Sequence, residues 1–280
     1  MKLTLVTGRL RSAGAPTPCV ALGILLGFVV LGAASLHAVS VCAAEPANKA
    51  SNVPAKEKGD AMLIEPAQLA KRLTEDKLRI LDARSKEDYA KGHIPGAVWV
   101  DVPSWQKLAR AEGGLRDAKA WGEKVGQLGI DHDAKLVVYG SALPDTGRVW
   151  WTLKYLGLPQ VMLLDGGWDA WSKEKRPTET AAPKVAAVRF EPRFDADRLE
   201  EIDALKASVK SGKVKVVDTR SKDEFTGKEV RGKRGGHVAG ATHLEWKELV
   251  AADGRFKSRE QLQELFRSRG ILPDETAVCY

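Results

Sequence analysis

The sequence predicts an α/β protein of two related halves, each a mainly parallel central sheet flanked by helices, the second half incomplete. Three observations predict this. The chain repeats itself: Asp82-Ala83-Arg84-Ser85 returns as Asp218-Thr219-Arg220-Ser221, Gly92-His93-Ile94-Pro95-Gly96-Ala97 returns as Gly236-His237-Val238-Ala239-Gly240-Ala241, and Gly129-Ile130, Asp133 and Tyr139 return as Gly270-Ile271, Asp274 and Tyr280. Within each copy, apolar runs of strand length alternate with helical patterns. The first copy continues past Tyr139 through Asp165-Gly166-Gly167-Trp168, whereas the second is read only to Tyr280. A repeat offset by 136 to 144 residues decides for two domains over the single large one that 280 residues also allow.

In the first copy, Pro66 opens a helix with Leu69 and Leu73 on one face. Residues 79–82 read as a short strand, and Ser85 to Asp88 as the capping pattern of a short helix. Gly92 to Ala97 is a turn, and 98–100 the next strand. Residues 118–128 form a helix and Lys135 to Tyr139 a core strand, because the apolar run is continuous. A helix over 148–156, a strand over 161–164 and a helix beginning at Trp168 close the domain. Residues 173–197, punctuated by Pro177, Pro183 and Pro192, show no period and read as linker. The second copy gives a helix over 199–209, a strand over 214–218 and a capping box from Ser221 to Glu224. A turn at 236–241, a helix capped by Ser258 and carrying Leu262, Leu265 and Phe266, and a strand ending in Tyr280 follow.

The N-terminus reads as an export signal. Arg9 and Arg11 flank an uncharged run from Val20 to Leu36, and Cys42-Ala43-Ala44 offers small residues for cleavage. The competing reading is an uncleaved membrane anchor through 20–36. The predicted organisation is thus signal peptide 1–44, disordered tether 45–61, first domain 62–178, linker 179–197 and second domain 198–280, in a periplasmic or extracellular protein. The formal net charge is +7, but residues 45–280 carry 41 basic against 37 acidic groups, without a Lys/Arg block of the kind that tracks nucleic acid. After cleavage one cysteine remains, Cys279, so no intrachain disulfide is expected and stability must come from packed cores.

Taken together and in order, Asp-x-Arg at a strand end, Gly-His-[Ile/Val]-x-Gly-Ala after a short helix, and Leu-Asp-Gly-Gly-Trp-x-x-Trp closing the first domain resemble the rhodanese family of sulfurtransferases in its tandem form. The resemblance covers residues 62–280. It implies a sulfurtransferase that moves a sulfane sulfur from thiosulfate or 3-mercaptopyruvate to a thiol or cyanide through a cysteine persulfide, as a monomer without metal or cofactor, free of nucleic acid and, once the signal is removed, of membrane. In that family the strand ending in Tyr leads into a tight loop whose first residue, in the active domain, is the nucleophilic cysteine. Successive backbone N–H groups there form an anion nest that favours a thiolate.

Tyr139 is followed by Gly140, so the first-domain site is degenerate. The resemblance puts the nucleophile at the position following Tyr280, and no residue within the chain takes that role. Cys279 is the alternative, but it aligns with Val138 inside a core strand and reads as a small buried hydrophobe. Asp218, Arg220 and His237 support the loop: the first two as an ion pair rather than a substrate-binding cation, the histidine as part of a turn rather than a base. Glu224 stands where vertebrate-type thiosulfate enzymes, which this segment resembles, carry arginine. Trp150, Trp151, Trp168 and Trp171 read as core. A second reading, from a different class, is a non-catalytic binding or regulatory protein, or an inactive fragment; a phosphatase relative of the fold would need a longer loop.

Overall fold

The computed structural model describes residues 5–9 and 62–280; the expected signal segment, apart from Leu5–Arg9, and the tether lie outside the described residues. In chain order the elements are β1 (Leu5–Arg9), β2 (Leu63–Ile64), α1 (Pro66–Ala70), β3 (Leu78–Asp82), α2 (Lys86–Lys91), β4 (Ala97–Trp99), α3 (Val102–Arg110), α4 (Ala118–Gly126), β5 (Lys135–Tyr139), α5 (Leu143–Tyr155), β6 (Val161–Leu164) and α6 (Gly167–Lys173). The second half adds β7 (Leu199–Glu200), α7 (Ile202–Lys210), β8 (Lys215–Asp218), α8 (Lys222–Thr226), β9 (Thr242–His243), α9 (Arg259–Ser268) and β10 (Thr276–Cys279).

Two five-stranded sheets result. The first has the order β2-β6-β5-β3-β4, with every pairing parallel. Its strands are apolar throughout because both faces are covered. Alternate residues serve opposite cores: Leu81, Leu136 and Val138 join Trp105, Trp121 and Leu153 on one face, while Ile80, Val137 and Tyr139 join Leu69 and Trp171 on the other. The second sheet repeats the plan as β7-β1-β10-β8-β9. Strands β10, β8 and β9 are parallel. In the place that β6 holds in the first sheet lies β1, antiparallel to both β10 and β7.

Capping explains most helix starts. Ser85 and Ser221 accept from the Asp88 and Glu224 amides at 3.1 and 3.2 Å, and Ser258 accepts from Gln261. Several elements differ from the sequence expectation: β2, β7 and β9 were not expected as strands. Helix α3 was not expected, yet Asp101 caps it by accepting from the Ser104 amide at 3.1 Å, and Pro103 sits in the first turn where its missing N–H costs nothing. Helix α5 begins at Leu143, not 148, for the same reason at Pro144.

The linker expected over 179–197 joins the halves as a strap bound along the first domain. Val188 and Arg193 donate from their amides to the Gly126 and Leu156 carbonyls at 3.0 Å each, and Asp195 donates to Tyr155 at 2.8 Å. Phe190 is buried in the first core. No period marks the strap because its seat is backbone: Cβ atoms on Gly122 and Gly126, one turn apart on α4, would collide with the Phe190 and Val188 carbonyls.

Replacing Gly126 with alanine is therefore expected to lower the stability of the chain by about 1–3 kcal/mol through overpacking, read as a lower urea midpoint at unchanged slope. The halves also differ in core size. Among the described residues up to Tyr280, the second half buries two small clusters, of three and four residues, against the two large ones of the first. Hydrogen exchange should show the β8 and β10 amides opening at lower free energy than those of β3 and β5. Equal protection in both sheets would refute this.

Candidate functional site

Loops from both domains gather at the carboxyl ends of the parallel strands, where open α/β sheets place their sites. In the first domain, β3 ends in Asp82 and the chain turns back so that Arg84 clamps it. Arg84 donates from Nε at 3.0 Å and from Nη2 at 2.6 Å, while its own amide donates to Oδ1 at 2.9 Å. Tyr139, at the end of β5, donates its hydroxyl to Asp82 Oδ2 at 2.5 Å and accepts from the Ile94 amide at 3.2 Å. Arg84 also donates to the Gly92 carbonyl at 2.7 Å, tying in the Gly-His turn. Asp82 is fully buried and Arg84 nearly so. Burial, with the negative Asp82 beside it, pushes the Tyr139 hydroxyl far above its ordinary range.

The second domain reproduces this brace. Arg220 donates to Asp218 at 3.0 Å and 2.6 Å and to the Gly236 carbonyl at 2.8 Å. Tyr280 accepts from the Val238 amide at 2.8 Å and bonds to Asp218. Burial by itself would raise the Asp218 carboxyl, but the hydrogen bonds from Arg220 and Tyr280 outweigh it and hold Asp218 below its ordinary value. Burial, outweighing the hydrogen bond from Val238, pushes Tyr280 up to about 12. His237 lies flat on Phe225 at 3.8 Å between ring centroids, with Nδ1 2.8 Å from the Phe225 carbonyl. His93 does the same on Tyr89. Asp218 and Arg220 thus meet at the end of β10, while His237 stacks on α8 and only its neighbour Val238 reaches Tyr280.

In the first site the Trp168 ring covers the Arg84 guanidinium at 3.7 Å, a cation–π contact worth roughly 2 kcal/mol when desolvated. The Trp168 amide donates to the Gly140 carbonyl at 3.0 Å. Of the tryptophans expected in the core, Trp151 and Trp171 are buried, whereas Trp150 and Trp168 are half-buried and Trp168 acts as a cover. Cys279 lies within β10, paired in register with Val217, and burial pushes its thiol up to about 11. That is opposite to the shift that makes a nucleophile. Among the described residues no cluster of His, Cys, Asp or Glu could hold a metal, and no helix is long and apolar enough to cross a membrane.

Sequence reasoning missed two features. His243 Nε2 donates to the Arg220 carbonyl at 2.9 Å, as Trp99 Nε1 donates to that of Arg84; the repeat itself pairs these positions. The change of repeat offset from 136 to 144 marks an eight-residue insertion, 228–235, next to the second brace. It carries Lys228, Arg231, Lys233 and Arg234 against the single acid Glu229. Lys228 pairs with Asp223, and Arg231 with Glu224 and Glu229. Lys233 and Arg234 are exposed and form no ion pair among the described residues.

Restoring a cysteine in the first loop should not restore a site. The Cβ of Gly140→Cys would collide with Thr146 Oγ1 and meet Ala83 Cβ at 3.7 Å. The variant is expected to form no persulfide with thiosulfate by mass spectrometry; robust formation would show that the nucleophile alone was lacking.

The comparisons agree with this geometry. The Rhodanese-like domain family matches residues 65–174. The sulfur carrier protein TtuD of Thermus thermophilus is 32% identical over 241 residues, covering 78% of this chain and 81% of its own length. A thiosulfate sulfurtransferase of Corynebacterium glutamicum is 30% identical, covering 78% and 76%. The crystal structure of SseA from Escherichia coli, described as a 3-mercaptopyruvate sulfotransferase, superposes with a TM-score of 0.68 at 26% identity, covering 77% of this chain and 86% of SseA. On the strength of the shared fold and these relatives, the chain belongs to the rhodanese family.

Proposed function

We propose that this protein is a sulfurtransferase whose second domain carries the chemistry. It takes a sulfane sulfur from a small anionic donor, thiosulfate or 3-mercaptopyruvate, and passes it to a thiol or cyanide. The observation that carries the reading is the insertion 228–235, which sets the exposed cations Lys233 and Arg234 beside the second brace, whereas the first-domain loop begins with Gly140 and is covered by Trp168. Exposed cations beside a strand-end loop suit a small sulfur anion by charge. Relatives named thiosulfate sulfurtransferase and 3-mercaptopyruvate sulfurtransferase support both donors without choosing between them.

In this reading the nucleophile is a cysteine at the position that follows Tyr280, the counterpart of Gly140. Its thiolate attacks the outer sulfur of thiosulfate, the S–S bond breaks, and sulfite departs with the bonding pair. The persulfide then gives its outer sulfur to the acceptor, regenerating the thiolate. The Asp218–Arg220–Tyr280 brace holds the loop's starting point fixed. The protein works as a monomer, exported by residues 1–44; cleavage there removes β1 from the second sheet, and the mass of the mature N-terminus tests the point.

Cys279 is the internal control. With its thiol near 11, the reactive thiolate fraction at pH 8 is about two hundred times smaller than for a free thiol of pKa ~8.5. Alkylation of Cys279 should be slow at pH 8 and rise about tenfold per pH unit until pH nears 11. Thiosulfate should leave it unmodified. A persulfide on Cys279, with thiocyanate production abolished by Cys279→Ser, would transfer the nucleophile's role to that residue.

A further inference from the structure

A tight hairpin from the second half reaches onto the first domain. Val250 bridges Phe256, the Ala251 amide donates to Arg255 O at 2.8 Å, and Lys257 donates to Leu249 O at 3.0 Å. This presents Arg255 and Phe256 side by side. Arg255 bonds Glu65 and Glu174, the latter at 2.6 Å. Glu65 caps the start of α1 and Glu174 the end of α6, so one guanidinium ties the first domain's opening residue to its closing one. The Phe256 amide donates to Asp165 Oδ1 at 2.8 Å, and Asp165 is 6% exposed. A buried carboxylate of this kind is costly to leave unpartnered.

The seat of the hairpin is the loop that positions Trp168. Gly166 and Gly167 both take positive φ, +74° and +56°. A Cβ on Gly166 would lie 3.1 Å from Arg255 Cγ, so this glycine admits the arginine stem. A Cβ on Gly167 would collide with the Gly140 carbonyl, so the next glycine admits the degenerate loop, to which Trp168 then bonds. Three consecutive residues thus connect the hairpin on one side to the cover over Arg84 on the other.

We propose that the hairpin 250–256 is an interdomain latch: Arg255, seated among Glu65, Asp165 and Glu174, positions the Asp165–Trp168 loop and thereby keeps the first-domain site shut. The second half then holds closed the site of its sister domain, independently of which sulfur donor the protein uses. Arg255 is a positioning residue and touches no reacting group.

Amide-resolved hydrogen exchange on the full chain tests this. In Arg255→Ala the Phe256 and Trp168 amides should both exchange at least about tenfold faster, while β3 and β5 keep their protection. Arg255→Lys, which can reach one carboxylate at a time, should fall between. If Arg255→Ala loosens the second half as a whole, Glu174→Gln, made on the first domain's side, reads the same two amides. Faster exchange at Phe256 with Trp168 unchanged would mean that the hairpin docks without holding the cover, and would overturn the proposal. Unchanged exchange at both amides would overturn it as well.

Discussion

The structure hangs on a carboxylate that has no access to water. Asp82 sits at the end of β3, an inner strand of the first sheet, and an isolated charge there would be prohibitive. It is tolerated because Arg84, Tyr139 and the Arg84 amide satisfy it together. Removing one partner from such a buried set costs about 3–5 kcal/mol. The same three residue types at Asp218, Arg220 and Tyr280 fix the second domain. Each brace joins two neighbouring strands, the turn that follows α2 or α8, and the start of the loop beyond the tyrosine. Loop geometry in this fold therefore begins from a rigid point.

With the braces equivalent, the difference between the halves comes from what surrounds them. The first domain closes over its arginine with an aromatic ring and fills its loop with Gly140 and Thr146. The second adds cations beside its brace, in the insertion 228–235.

Much of this was legible in the sequence. Strands β5 and β6 fall where their apolar runs place them, and the serine caps mark α2, α8 and α9. The Asp-x-Arg pairs and the tyrosines were visible because they recur. What escaped has physical causes. Prolines at 103 and 144 look like breakers, although in a first turn they cost no hydrogen bond. The strap showed no pattern because its partner is bare helix backbone rather than a hydrophobic stripe. Trp168 read as core because composition cannot tell a ring packed on leucine from one packed on a guanidinium. The hairpin's contacts with Glu65 and Glu174 reach back 190 and 81 residues and leave no local trace.

The strap has a consequence for how the protein is made. The backbone that completes the first domain's surface lies at residues 185–195, well after the last strand of its sheet. A chain emerging from the ribosome can pair β2 to β6 before those residues appear, but α4 then shows an uncovered glycine face and Phe190 is not yet in its slot. Closure of the first domain must wait for the connector, and by then β7 and α7 are next to leave the tunnel. Synthesis order thus delivers the first domain finished just as the second begins to fold beside it.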